Sequence, residues 1–315
     1  PTASGGVVWA TDNGDDSRVL LQNAEIAMYQ AKSQGRNHCT IFAETMRIDL
    51  ERKSALNHAL QQALTDGNGL RIVLQPQISL VDGRLTGAEV LLRWRHPQYG
   101  DVSPAEFIPI AENSGLIRML DSLVFTLAAQ QLAEWQRAGF DVHLSINISV
   151  LSLIVNGCAD DLIAIFNRHA IPCNRIAIEV TESHDLQKSA EALLNIQRLK
   201  EAGCAIELDD FGTGHSSLVY LQQLPLTGLK IDQGFVRNLD QDGGKSRSIV
   251  RATIAMAKAI NLELIAEGVE TESQLSWLQT QGCDIAQGYL LDKPMDAEAF
   301  YNKYQSYGSA ADSKV

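Results

Sequence analysis

The sequence predicts an α/β fold in which eight strands and their intervening helices close into a (β/α)₈ barrel, preceded by a small strand–helix–strand piece. Strand and helix patterns alternate from about residue 70 to residue 303. That length suits such a barrel, for which ~250 residues is typical. The alternative is an open doubly wound sheet. It is disfavoured because no glycine-rich phosphate loop follows the first strand.

Residues 1–42 are predicted to form two short strands around one helix. Gly5–Ala10 has the pattern of a strand, Ser17 is placed to cap the helix, and His38–Phe42 is the second strand. This is too little chain to bury a core of its own. The piece therefore looks like the end of a domain that starts upstream.

A helical connector is predicted over 43–66, followed by the barrel over 67–303 and a flexible tail over 304–315. Two barrel helices begin with capping boxes, Ser103–Glu106 and Thr271–Gln274. The strand candidates are Ile72–Gln77, Leu85–Trp94, Val142–Ile148, Ile176–Thr181, Ala205–Asp209, Gly228–Ile231, Leu262–Ala266 and Ile285–Gly288.

Composition excludes several classes of protein. The 315 residues are 45% hydrophobic and 20% charged, which rules out a disordered chain, a collagen and a small disulfide scaffold. The net charge of −12 disfavours binding to duplex nucleic acid or to an anionic membrane. No apolar run of ~18 residues predicts a membrane span. The five scattered cysteines favour a reducing, cytoplasmic location, with a membrane anchor upstream of Pro1 left open.

Polar residues mark the ends of successive strand candidates. Because the carboxyl ends of barrel strands converge on one mouth, side chains far apart in sequence are expected to meet there. The residues in or at the end of a strand candidate are Glu89, Asn147, Glu179, Asp209, Lys230, Glu267 and Gln287.

The chemistry of this set points to divalent metal ions. Carboxylate and amide oxygens are the ligands that Mg²⁺ and Mn²⁺ take. Adjacent Asp209 and Asp210 could serve two metals ~3.5–4 Å apart, as in phosphodiester hydrolysis. Lys230 could order the attacking water or neutralise a phosphate oxygen. The alternative is a set of solvated carboxylates with no shared role.

Two further features adjoin these strand ends. Phe211–Gly214 follows a buried strand with two glycines, which favours a mobile active-site loop over a plain tight turn. Glu182 lies just past its strand and is placed to brace this loop. The alternative for Glu182 is a charge at a helix N-terminus.

At this point the chain resembles the EAL domain family. Glu89–Arg93 is similar to its signature, with Val90 in place of the usual alanine. The other matching motifs are Gln75–Gln77, Ile146–Ser149, Glu179–Glu182, Asp209–Gly214, Leu229–Asp232, Ala266–Glu270 and Gln287–Tyr289. The resemblance implies a TIM-like barrel whose first strand is antiparallel. It also implies an enzyme that opens cyclic di-GMP to linear pGpG with Mg²⁺ or Mn²⁺.

The resemblance also implies roles for single residues. Lys230 would bind the catalytic water, Arg93 would contact a phosphate, and Gln75, Glu270 and Gln287 would line the ligand site. The implied metal ligands are Glu89, Asn147, Glu179, Asp209, Asp210 and Glu267. The implied catalytic residues are Lys230, Asp209 and Glu267. Ca²⁺ is expected to permit binding but to block turnover. The rival functions are a receptor that binds cyclic di-GMP without hydrolysis and a scaffold for a partner.

The N-terminal piece resembles the last third of a GGDEF diguanylate cyclase domain. Leu20–Lys32 and Gly35–Asn37 carry this resemblance, whereas the GGDEF motif itself is absent. It implies a bacterial parent with GGDEF and sensor domains upstream. A homodimer formed near the Phe211–Gly214 loop is also expected from the EAL resemblance.

Overall fold

The structure, a computed structural model, describes residues 2–10, 16–33, 35–181, 186, 188–212, 221, 223–241 and 244–308. The strands are β1 Gly5–Val7, β2 Cys39–Ile41, β3 Leu70–Ser79, β4 Leu85–His96, β5 Gly100–Val102, β6 His143–Ile148, β7 Ile176–Thr181, β8 Ala205–Phe211, β9 Gly228–Ile231, β10 Glu263–Ala266 and β11 Ile285–Ala286. The helices are α1 Ser17–Ser33, α2 Glu44–Asp66, α3 Pro104–Ser114, α4 Ile117–Arg137, α5 Val150–Leu153, α6 Cys158–Arg168, α7 Ala190–Glu201, α8 Gln233–Arg237, α9 Lys245–Ala259, α10 Glu272–Gln281 and α11 Ala297–Gly308.

Eight strands close into a barrel in the order β3, β11, β10, β9, β8, β7, β6 and β4, and β3 pairs with β4 to seal the ring. β3 is antiparallel to both of its neighbours, β4 and β11, while the other ring neighbours pair in parallel. β5 lies outside the ring as a hairpin partner of β4. The predicted barrel with one antiparallel strand is confirmed, and the open doubly wound sheet is wrong.

The ring is held by apolar packing against its helices. β7 is buried almost throughout, as expected for a parallel strand that helices cover on its outer face. Trp135 of α4 stacks on Phe300 of α11 with ring centroids 5.4 Å apart, which joins the last helix to the helical layer. This dense packing gives the strand ends fixed positions.

The N-terminal unit is a parallel pair of strands, β1 and β2, joined by α1. Gly6 lies so close to α1 that a Cβ there would be 1.8 Å from the carbonyl oxygen of Ala24, so only glycine fits. The connector α2 then packs on α3, where Arg52 donates hydrogen bonds to both carboxylate oxygens of Glu106.

Three local predictions need correction. The Ser103–Glu106 capping box does not form, because the carboxylate of Glu106 pairs with Arg52 instead. Helix α1 starts at Ser17 itself, and Asp16 Oδ1 accepts the backbone hydrogen bond of Arg18. Helix α11 continues to Gly308, so the boundary predicted at residue 304 falls inside a helix.

The other capping box, Thr271–Gln274, is confirmed in full. Within the described part of the chain, no helix combines the length and the apolar character needed to cross a membrane.

Candidate active site

The predicted site residues gather at the carboxyl ends of the parallel strands. In register, Asn147 of β6 lies beside Glu179 of β7, and Glu89 of β4 lies opposite Gln75 of β3. Above them lies an open cavity of about 540 Å³. The predicted residues that line it are Gln75, Glu89, Arg93, Asp209, Asp210, Glu267, Glu270 and Gln287. The structure thus brings them together, while their individual roles stay predictions.

Lys230 occupies the centre of this group and is fully buried. Its Nζ lies 2.8 Å from Glu179 Oε2 and 2.6 Å from Glu267 Oε1. The distances from Nζ to Glu89 Oε2 and Asp209 Oδ1 are 3.6 Å and 3.7 Å. One ammonium group therefore faces carboxylates from four different places in the chain.

Two amides tie the carboxylates to one another. Asn147 Nδ2 donates to Glu89 Oε1 at 2.9 Å and to Glu179 Oε2 at 2.8 Å. Gln287 Nε2 donates to Glu89 and to Gln75 Oε1, the latter at 3.2 Å. These hydrogen bonds fix the rotamers of the acidic side chains before any ligand arrives.

Adjacent Asp209 and Asp210 both line the cavity, although neighbours in a regular strand point to opposite faces. The pairing of β8 with β9 shifts register between Leu208 and Phe211, and Asp210 has a φ of 56°. This left-handed conformation is one that Asp and Asn adopt more readily than most residues. The irregular strand end therefore presents two successive carboxylates to one site.

The site carries more negative charge than its lysine balances. Burial raises the pKa of Glu179 well above its usual value and that of Glu267 to about 8. Burial and the charge of Asp209 raise the pKa of Asp210. Burial opposes the charge of Lys230, yet the surrounding carboxylates hold the pKa of Lys230 well above its ordinary value.

The residues present fit a divalent cation. Glu179 Oε1 and Gln287 Oε1 are buried and have no hydrogen-bond partner among the described residues. All the predicted ligands offer oxygen atoms, which Mg²⁺ and Mn²⁺ prefer. Among the described residues, no three His, Cys, Asp or Glu side chains are arranged to hold a metal ion. The ammonium group of Lys230 lies at the point where the carboxylates of Glu89, Glu179, Asp209 and Glu267 converge.

The sequence prediction missed several residues of the cavity wall, including Gln233 and Arg237, and gave no role to Tyr289 of the motif Gln287–Tyr289. Arg237 adds a second cation to that of Arg93, and its Nη2 lies 2.9 Å from Glu270 Oε1. It belongs to the short helix α8, where no periodic pattern singles it out. Glu182 lies outside the described residues, as do Thr213 and Gly214 of the predicted loop.

Comparison with known proteins finds a matching family and several similar proteins. The model of the EAL domain matches residues 57–294. The chain is 38% identical over 298 residues to the bifunctional diguanylate cyclase/cyclic di-GMP phosphodiesterase MucR of Pseudomonas aeruginosa, covering 94% of this chain and 43% of MucR. It is 35% identical over 306 residues to the cyclic di-GMP phosphodiesterase PdeR of Escherichia coli K12, covering 97% of this chain and 46% of PdeR. The chain thus spans less than half the length of these relatives.

Solved structures show the same fold. The phosphodiesterase of MucR in complex with c-di-GMP superposes with a TM-score of 0.74 at 39% identity, covering 78% of this chain and 99% of that one. The EAL enzyme Bd1971 in its cAMP-bound form superposes with a TM-score of 0.76 at 31% identity, covering 92% of this chain and 76% of that one.

Proposed function

The chain belongs to the EAL domain family, and from that premise we propose that it hydrolyses cyclic di-GMP to linear pGpG in bacterial second-messenger signalling. The observation that carries the proposal is the fully buried Lys230 among four strand-end carboxylates, beside an open cavity lined by Arg93. Relatives named as cyclic di-GMP phosphodiesterases support it.

Divalent ions are the cofactors in this proposal, with Mg²⁺ or Mn²⁺ as the candidates. Glu89, Asn147, Glu179 and Asp209 would hold one ion, Asp210 would reach a second, and Glu267 would complete the shell. When bound, such ions withdraw charge from phosphoryl oxygens and make water more acidic.

The side chains of the chain do the remaining work. Lys230 Nζ lies beside Glu89, Asp209 and Glu267, three carboxylates that line the cavity. In this proposal it orients a water molecule and stabilises negative charge that builds up on the phosphate. Arg93 lines the wall and is placed to contact a phosphate of the ligand. Gln75, Gln287 and Glu270 line the ligand or metal site.

One assay separates this function from its two rivals. Purified chain is incubated with cyclic di-GMP and Mg²⁺, products are resolved by ion-exchange chromatography, and a parallel sample contains EDTA. We expect pGpG with Mg²⁺ and none with EDTA. Binding of cyclic di-GMP without any product would favour the receptor. Absence of binding by folded protein would favour the scaffold.

The N-terminal unit and the surroundings of the enzyme complete the proposal. Residues 1–42 are the end of a GGDEF domain, 43–66 a connector and 67–303 the phosphodiesterase. The parallel β1–α1–β2 unit and the bifunctional naming of MucR support this division. The parent carries GGDEF and sensor domains, acts in the cytoplasm and forms a homodimer. The five cysteines, all free, suit that compartment.

A further inference from the structure

A second cavity lies at the other end of the barrel, where the parallel strands begin. Its volume is about 410 Å³. Its walls include the first residues of four parallel strands, which are His143, Ile176, Ala205 and Glu263. The candidate active site is built on the opposite strand ends, so the barrel interior separates the two cavities.

Buried polar side chains line this second cavity. Gln77, Ser145 and Glu207 are 4%, 3% and 7% exposed. Ser145 Oγ donates a long hydrogen bond of 3.4 Å to Gln77 Oε1. Gln77 Nε2 and Glu207 Oε2 have no hydrogen-bond partner within the described ranges. A buried donor and a buried acceptor left in this way are groups that one bound molecule could satisfy together.

The charge of the walls has one sign. Glu207 and Glu263 contribute carboxylates, whereas no lysine or arginine is among the lining residues that the structure describes. Two acidic groups in a partly enclosed space favour a positively charged occupant.

The backbone leaves room for these side chains. A Cβ at Gly228 would lie 3.0 Å from Glu207 Cγ, and a Cβ at Gly87 would lie 3.1 Å from Gln77 Oε1. Both glycines thus keep space beside the two side chains whose polar atoms are unpartnered. The arrangement is a built feature of the barrel end and differs from a chance cluster of surface acids.

We propose that this cavity binds a small organic cation, a primary ammonium that carries a hydrogen-bond acceptor a few bonds away. The ammonium donates to Glu207 with Glu263 nearby, and the acceptor takes the hydrogen of Gln77 Nε2. The proposal does not rest on the phosphodiesterase function.

Titration calorimetry with ethanolamine at pH 7.5 tests it, in saturating Mg²⁺ so that the acids of the active site are neutralised. We expect saturable binding of ethanolamine. Ethylene glycol lacks the charge and propylamine lacks the acceptor, so each should bind about tenfold or more weakly. No saturable binding by the folded protein would show a cavity filled by water only and would overturn the proposal.

Variants place the binding in this cavity. Glu207→Gln should weaken ethanolamine binding about tenfold or more, and Glu263→Gln offers a second test at a more exposed position should the first variant fold poorly. Glu298→Gln, on the exposed face of α11, should bind like wild type. Equal affinity in the Glu207 and Glu263 variants and in wild type would contradict the assignment.

Discussion

Lys230 is a fully buried charge that its neighbours make stable. An isolated ammonium in a protein interior is strongly unfavourable unless it is paired and hydrogen-bonded. Here Glu179 and Glu267 lie within 2.8 Å of Nζ. The same contacts that hold Lys230 in place keep its ammonium group beside three carboxylates that line the cavity, which is where its proposed chemical role requires it.

Lys230→Ala should lower kcat by ~10²–10³-fold, because the ammonium matters most when negative charge builds up on the reacting phosphate. Binding of cyclic di-GMP in Ca²⁺ should persist, since the carboxylates and Asn147 remain. Steady-state kinetics and a binding titration check both parts. Lys245→Ala, an exposed lysine at the start of α9, is the control. Wild-type turnover by Lys230→Ala would make Lys230 a structural lysine.

Arg93→Ala should raise KM more than it lowers kcat, because its phosphate contact would exist already in the ground state. Arg93 lines the cavity and its Nη1 donates to its neighbour's carbonyl at 2.9 Å, so the guanidinium keeps further donors for a ligand. Arg84→Ala, on an exposed turn, is the matched control. A fall in kcat at unchanged KM would assign Arg93 to the transition state instead.

At the scale of the element, the end of β8 departs from regular strand geometry. The register shift there lets two successive carboxylates face one cavity, which a regular strand would not do. A local irregularity in one strand therefore supplies the two neighbouring acids that the proposed pair of metal ions would need.

Substitutions at Asp210 separate backbone from charge. Asp210→Asn should keep stability, since Asn tolerates the φ of 56°, but should lose most activity with the carboxylate. Asp210→Val should lose activity and also ~1–2 kcal/mol of unfolding free energy, because a β-branched residue is strained in this conformation. Urea unfolding and the pGpG assay measure the two effects. Equal stability of the two variants would show that the strand end relaxes.

The ring of strand ends also predicts which ion works. Mg²⁺ requires near-octahedral oxygen ligands at ~2.0–2.1 Å, whereas Ca²⁺ sits at ~2.3–2.6 Å with looser geometry. The seven side chains of the site come from different strands or strand ends, so the positions of their oxygen atoms are fixed by the barrel. Ca²⁺ should therefore support binding of cyclic di-GMP but not turnover. Calorimetry with each ion, followed by the pGpG assay, decides this. Similar rates in Ca²⁺ and Mg²⁺ would contradict the model of tight placement.

At the scale of the molecule, the acidic cluster makes the metal-free protein sensitive to pH. The folded pKa values of Glu179, Glu267 and Asp210 lie above their unfolded values, that of Glu267 at about 8. Between the unfolded and the folded pKa values of these groups, the folded state therefore holds more protons than the unfolded state. The free energy of unfolding falls as the pH rises through this range. Lys230 keeps its contribution throughout, because its raised pKa lies higher still.

In EDTA, the melting temperature should fall between about pH 5 and pH 8, as the carboxylates of the folded protein lose their protons. Saturating Mg²⁺ should reduce this fall, because the cation offsets the negative charge. Differential scanning fluorimetry across pH, with and without Mg²⁺, measures both. A melting temperature that rises over this range in EDTA would show that the cluster does not dominate.

Much of this architecture could be predicted from the sequence because strands that are buried on both faces stand out as apolar runs with polar ends. Glu89, Glu179 and Asp209 interrupt such runs, and the convergence of strand ends in a barrel joins them. The sequence pattern does not show the direction of a strand, so the antiparallel β3 could be predicted only from the family resemblance. Ion pairs between residues far apart in sequence could not be predicted either: Glu106 pairs with Arg52 and does not take part in a cap at Ser103.

The closure of the ring by β3 has a consequence for how the protein is made. β3 is the first barrel strand to leave the ribosome, yet one of its two partners, β11, is among the last elements to be synthesised. Until then Ile78 and Ser79, the residues of β3 that pair with β11, have no strand beside them, and Glu267 and Gln287 have yet to join the earlier acids. A nascent chain thus carries most of the barrel before the proposed site is complete, with an unpaired strand edge of the kind that favours contact with other chains.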